Sequence, residues 1–201
     1  MKLIKVIKPS LAAMALAVVT MGTPASAATT VETKLNQGII GGEHNLEVTP
    51  VSNFNAVTLN GETQVTHADP GTLVVTDARG TGEGYRVNVR ANQFKVSADT
   101  KSDKTLPKGS LVLSSGGADV TKVGGTQSQN PEFKAENFVI DTDNQSTILS
   151  AKKDQGMGKY NIKFKNDALS LTLNPHSTYV VNKSGTTTYE SVLTYSVVTG
   201  P

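Results

Sequence analysis

Few residues of this chain have both the type and the spacing that chemistry requires. The three histidines, His44, His67 and His176, stand apart, and none has a second histidine or a cysteine at ligand spacing. A zinc site needs several such ligands converging, so isolated surface positions in loops are the expected account. Asp141-Thr142-Asp143-Asn144 has the alternating oxygens that open a calcium loop, but lacks the glycine and the distal glutamate of an EF-hand and reads as a polar turn. Gly80-Thr81-Gly82-Glu83-Gly84 has the composition of a phosphate loop. A strand pattern follows it, so no helix N-terminus is there to hold an anion, and nucleotide binding is excluded. No Gly-x-Ser-x-Gly elbow accompanies any serine. Glu132, Glu136 and Asp141 are read as ordinary surface acids, with nothing to set two of them apart as a glycosidase pair. Five phenylalanines, five tyrosines and no tryptophan are poor material for a sugar-binding cleft. A secreted glycan-active enzyme is the weakest class, and the sequence assigns no catalytic residue, metal or cofactor.

The richest stretch is Asp77–Val89, D-A-R-G-T-G-E-G-Y-R-V-N-V. Asp77 and Arg79 stand between a strand and a turn built on Gly80, Gly82 and Gly84. They have two readings: a structural pair in which Asp77 accepts turn amides and Arg79 pairs with it, or Arg79 and Arg86 projecting toward an anionic ligand. Strand side chains alternate between faces, so Tyr85, Val87 and Val89 share one face and Arg86, Asn88 and Arg90 the other. A matching aromatic-x-aliphatic pattern closes the chain, where Tyr189, Leu193, Tyr195 and Val197 share a face of one last strand, Tyr189–Val198. Aromatic and β-branched residues on one face are what cross-strand pairing favours, so the two stretches are expected on adjacent or near-adjacent strands. Such pairs contribute only about 0.2–1 kcal/mol each. That is little to account for two matching motifs and suggests a shared surface, while the same alternation also suits two core tyrosines.

The elements that must position these residues are short strands punctuated by turns. Strands are expected at Leu46–Val48, Asn55–Leu59, Thr72–Thr76, Tyr85–Phe94, Leu111–Leu113, Phe138–Ile140, Thr147–Leu149, Tyr160–Phe164 and Leu169–Leu173, besides the last one. Turns or loops are expected at Asn60-Gly61, His67–Gly71, residues 97–110, Asp141–Ser146, Gly156–Gly158, Asn166-Asp167 and Lys183–Gly185. Ser114–Pro131, rich in Gly, Ser, Thr, Gln and Asn, reads as a flexible surface loop. Only residues 130–137 and 150–157 leave room for a short helix. This pattern implies an all-β fold: one antiparallel β-sandwich or barrel-like domain, over residues 44–201, with long polar loops.

Residues 1–27 read as a leader rather than as part of that domain. Lys2, Lys5 and Lys8 precede an apolar run, Leu11–Met21, and Ala25-Ser26-Ala27 is a small-residue cleavage site. The run is too short to span a bilayer. Cleavage leaves about 170 residues, enough for one domain with a core. Residues 28–43, polar and Gly-rich, are expected to be loosely ordered. The net charge of +2 becomes +2 − 3 = −1 without the three leader lysines, and no basic block remains for nucleic acid or a membrane surface. The chain has no cysteine, so an exported form must be held by its core alone. Gly200-Pro201 carries no sorting or lipid motif, so any attachment to a cell is expected to be non-covalent.

These motifs resemble those of the WxL-domain proteins, found on the surface of low-GC Gram-positive bacteria. The family's first motif, D-x-R-G-T-G-x-G-W-x-L-x-V, is matched by Asp77, Arg79, Gly80, Thr81, Gly82, Gly84 and Val89, with Tyr85-Arg86-Val87 at the W-x-L. Its second, Y-x-x-x-L-T-W-x-L near the C-terminus, is matched by Tyr189, Leu193 and Thr194, with Tyr195-Ser196-Val197 following. Leu46–Gly61 is similar to the family's opening strands, and Gly156–Tyr160 to its late turn. Both tryptophans are tyrosine here and both leucines valine, which keeps the aromatic face but exchanges the indole N–H for a hydroxyl. The resemblance implies a secreted, wall-associated, non-catalytic protein that binds peptidoglycan or another wall polymer non-covalently through the two motifs. The alternative it implies is a structural or docking subunit for a partner, either a membrane-anchored WxL-interacting protein or a larger WxL protein.

Overall fold

The computed structural model describes residues 31–97, 101–182 and 185–201. The leader read in residues 1–27 lies outside the described residues, as do Lys183 and Ser184 of the turn read there. A compact unit runs over Ile39–Pro201. The described part of the preceding unit, residues 31–38, is exposed and has no regular structure.

Among the described residues the chain is all-β. The strands are β1 (His44–Val48), β2 (Gln64–Ala68), β3 (Thr72–Asp77), β4 (Tyr85–Ala91), β5 (Lys95–Val96), β6 (Leu111–Ser114), β7 (Asp119–Val123), β8 (Glu132–Phe133), β9 (Asn137–Val139), β10 (Ser146–Ala151), β11 (Gly158–Lys163), β12 (Leu169–Leu173), β13 (Tyr189–Glu190) and β14 (Leu193–Thr199). They form three four-stranded sheets, in the orders β1-β3-β11-β7, β14-β4-β10-β8 and β2-β12-β6-β9, and a two-stranded sheet, β13-β5. Every pairing is antiparallel. The expected antiparallel, sandwich-like class is the one observed.

The period-2 segments behave as their pattern dictates. In β4, Tyr85, Val87, Val89 and Ala91 are buried while Arg86 and Arg90 are exposed. Leu73 and Val75 of β3, Tyr160 and Ile162 of β11, and Leu169 and Leu171 of β12 enter the same core. Burying a large aliphatic or aromatic side chain contributes about 1.5–3 kcal/mol, so this one cluster holds a cysteine-free chain together. Phe133 packs edge-on against Phe164, with centroids 5.7 Å apart.

Several segments depart from the sequence reading. Asn55–Leu59 is irregular and joins none of the sheets. The turn at Asn60-Gly61 is present: the Glu62 N–H donates to Asn60 Oδ1 at 3.0 Å, and Gly61 has φ 85°. The strand, however, follows that turn, and the loop expected from His67 starts after Ala68. Ser114–Pro131 is not one flexible loop: Asp119–Val123 pairs with β11 from Val123↔Lys159 to Asp119↔Lys163. Its Val120 and Val123 are β-branched, and the polar residues around them suit an edge strand. Tyr85–Phe94 stops at Ala91, and the last strand breaks at Ser191-Val192. No helix forms at 130–137 or 150–157 among the described residues, where β8, β9 and the end of β10 lie instead.

Candidate functional site

The two motif strands are direct neighbours. β14 pairs with β4 in an unbroken register that sets Leu193 opposite Ala91, Tyr195 opposite Val89, Val197 opposite Val87 and Thr199 opposite Tyr85. About a hundred residues of chain are closed into one ladder, as the matching motifs suggest. Tyr189 does not join them. It belongs to β13, which pairs with β5, and its hydroxyl donates to the Tyr179 carbonyl at 2.9 Å and accepts the Tyr179 N–H at 3.1 Å.

Asp77 and Arg79 form the structural pair. Asp77, 2% exposed, ends β3. Arg79 Nε donates to its Oδ1 and Nη2 to its Oδ2, both at 2.9 Å, a bidentate geometry, and the Arg79 N–H also reaches Oδ1 at 3.3 Å. The remaining donors go to Gly84 O at 3.2 Å, Glu83 Oε2 at 3.3 Å and Thr199 Oγ1 at 2.8 Å. One guanidinium therefore ties together the end of β3, the glycine turn and the end of β14. Burial pushes the Asp77 carboxyl up, but the Arg79 hydrogen bonds and charge, aided by His44, outweigh that and hold it below the ordinary carboxylate range.

The glycine turn is needed for conformation and for space. Gly84 has φ 74°, and a Cβ there would stand 2.3 Å from the Ala151 carbonyl oxygen. Gly82, at φ 67°, lies against Asp154, whose N–H donates to the Gly82 carbonyl at 2.8 Å. Gly80 needs only its left-handed backbone, φ 70°. Gly84→Ala is expected to lower stability by about 2–4 kcal/mol, combining a left-handed non-glycine residue with overpacking against backbone. A urea titration checks this, and a wild-type midpoint would refute it.

The turn delivers Tyr85 into the core. Its side chain is 0% exposed, with the ring 5.2 Å from that of His44. Gly156, in the late turn, leaves room for it: a Cβ there would lie 2.9 Å from Tyr85 Cε1. Burial raises the Tyr85 hydroxyl well above the usual tyrosine range, with Tyr160 and Asp77 adding to the effect. Tyr195 is half-buried and its enclosed hydroxyl is raised by burial too. Tyr195 sits four positions along the ladder from Tyr85, about 13 Å at the usual strand rise. The two rings therefore do not make one exposed aromatic strip.

What β4 and β14 show to solvent is the opposite face. Arg86 lies opposite Val198, Asn88 opposite Ser196 and Arg90 opposite Thr194. β10 continues this row, with Thr147 Oγ1 donating to Asn88 Oδ1 at 2.7 Å and Ser150 opposite Arg86. Among the described residues neither Arg86 nor Arg90 has an ion-pair partner. The face thus offers two free guanidinium groups, an amide and several hydroxyls on a rigid sheet.

Other expected positions fall differently. His44 and His67 are in strands, not loops. His44 packs on Tyr85, and burial first, then the Arg79 charge, lowers its pKa against a smaller opposing effect of Asp77. Asp141, read as a surface acid, is 1% exposed and accepts the N–H groups of Gly109, Ser110 and Leu111 at 2.9, 3.0 and 3.1 Å. No local signal marks it, because those amides come from a turn 30 to 32 residues earlier. Reasoning from the sequence also missed a cleft of about 1260 Å³ beside β13, lined by Phe54, Phe94, Leu173, Tyr179 and Leu193 among others. It is assembled from segments that share no local pattern.

The family model described as WxL domain, surface cell wall-binding, matches residues 39–201. No curated protein and no solved structure matches the chain.

Proposed function

This chain belongs to the WxL-domain family of surface cell wall-binding proteins, and from that premise we propose that it binds peptidoglycan non-covalently and without catalysis, through the outward face of β14, β4 and β10. One observation carries the choice of face. The inner face of the paired motifs is spent on the core and on the Asp77–Arg79 clasp, whereas the outer face carries Arg86 and Arg90 unpaired. Wall glycan presents hydroxyls and amides, and its stem peptides present carboxylates. Guanidinium groups bind carboxylates in bidentate fashion, and Asn88, Thr147 and Ser196 complement hydroxyls and amides.

Arg86→Ala with Arg90→Ala is expected to weaken sedimentation with purified, protein-free peptidoglycan at least about tenfold, equivalent to about 1.4 kcal/mol. Both side chains are exposed, so the melting temperature should stay that of the wild type. Binding by the wild type should also weaken as salt rises, because exposed charges are screened. Wild-type sedimentation by the double variant would exclude this face.

The second reading is docking to a partner surface protein. The apolar cleft beside β13 favours it, since a cleft lined by Phe, Leu and Tyr suits protein side chains better than glycan. A chain that ignores stripped wall but is retained on wall still carrying its surface proteins would select this second reading.

A further inference from the structure

The sheet that carries both motifs ends at β14, an edge strand with β1 packed near part of it. Among the described residues β14 is hydrogen-bonded to β4 alone. Two bonds just outside the ladder fix its parity: Asn92 N–H to Val192 O at 3.0 Å and Gly200 N–H to Gly84 O at 3.1 Å. Bonded and non-bonded pairs alternate along an antiparallel ladder. Thr194, Ser196 and Val198 therefore direct their amides and carbonyls to β4, and Leu193, Tyr195, Val197 and Thr199 direct theirs away from it. Leu193, Tyr195 and Val197 also stay half-buried on the inner face, where Val87 and Val89 beside them are 0% and 1% exposed. Edge strands are ordinarily protected by charge, proline or a bulge. β14, L-T-Y-S-V-V-T, has no charge and no proline, and its register has no bulge. The edge strands β1 and β7, by contrast, carry Glu47 and Asp119 with Lys122.

A segment with the pattern of a strand but no regular structure lies in the same chain. Val31-Glu32-Thr33-Lys34-Leu35-Asn36 alternates apolar or β-branched residues with polar ones, the pattern of a half-buried strand. Yet it has no ladder partner among the described residues, and Val31 is 82% and Leu35 93% exposed. Its six residues are one short of the seven-residue edge. We propose that residues 31–36 of one copy add as an extra strand to the β14 edge of a second copy. The added strand supplies partners for the outward amides and carbonyls of Leu193, Tyr195 and Val197. It lays Val31, Thr33 and Leu35 along the inner face and leaves Glu32 and Lys34 on the outer one. Because donor and acceptor are different surfaces of one molecule, the contact is heterologous and can propagate from copy to copy.

The test is sedimentation velocity of the processed chain over a concentration series. The expected result is concentration-dependent association that Val31→Asp with Leu35→Asp weakens at least about tenfold. Those two side chains are exposed, so that variant keeps its fold. Val197→Pro removes one outward amide where an edge strand tolerates proline, and if folded it should associate as weakly. A wild type that stays monomeric throughout overturns the proposal. So does association unchanged in the Val31/Leu35 variant, or a monomer whose residues 31–36 are protected from amide exchange, which would place the segment on its own copy.

Discussion

Replacing Arg79 by alanine is expected to lower the stability of the domain by about 3–5 kcal/mol, because it leaves the buried Asp77 carboxylate without its counter-charge. Asp77 is 2% exposed, and two Arg79 nitrogens hold its two oxygens at 2.9 Å. The loss also unties the glycine turn from Thr199, so the β14 end of the ladder should fray first. In a domain of this size the effect amounts to a drop of about 10–15 °C in melting temperature. The pH dependence follows from the direction of the Asp77 shift. Its carboxyl is held below the ordinary range in the folded chain. The stabilisation from ionised Asp77 is therefore complete above the ordinary carboxylate pKa of about 3.9, and is lost as pH falls through the lower folded value. In Arg79→Ala the unpaired carboxyl prefers to be protonated, so the gap between variant and wild type should narrow below about pH 4. Urea titrations at several pH values measure that gap, and a gap constant from neutral to acid pH would show that the clasp does not act through charge.

Tyr85→Ala is expected to cost about 3–5 kcal/mol as well, by a different route. The ring is 0% exposed, lies against His44, and fills space that Gly156 and Ala151 leave open. Truncation leaves a cavity whose walls belong to strands paired elsewhere and cannot collapse freely. The ring does not reach the outer face, so at temperatures where the variant is folded its sedimentation with peptidoglycan should equal that of the wild type. A Tyr85→Ala chain that melts like the wild type yet no longer binds wall would reverse the assignment and make Tyr85 a contact residue. With Arg86→Ala/Arg90→Ala this forms a crossed set of outcomes: the double change weakens binding and spares stability, the single change lowers stability and spares binding.

Much of this was legible in the chain, for a local reason. Alternation in Tyr85–Ala91 and Leu169–Leu173 names the buried face residue by residue, because strand geometry leaves no freedom between neighbours. Gly80, Gly82 and Gly84 mark a turn because φ near 70° costs glycine far less than other residues. The paired aromatic-x-aliphatic motifs pointed to adjacent strands before any partner was visible. Asn55–Leu59 and Asp119–Val123 went the other way. The first alternates but pairs with no strand, and the second reads as polar loop yet finds an open edge on β11. Strand status is settled by the ladder partner, which a local pattern does not contain.

The same division runs through the candidate site. By itself the sequence determined that the domain is all-β, that Tyr85 and Val87 face away from Arg86, and that Asp77 and Arg79 flank a glycine turn. These follow from backbone sterics and side-chain period, which act between residues a few positions apart. Only the tertiary structure decided that Arg79 is consumed by Asp77 and Thr199, that Tyr85 lies in the core, that Tyr189 leaves the motif face, and that Asp141 caps a turn 30 to 32 residues away. Burial and hydrogen-bond satisfaction depend on what the rest of the chain brings alongside, and in an antiparallel β fold those neighbours come from distant sequence.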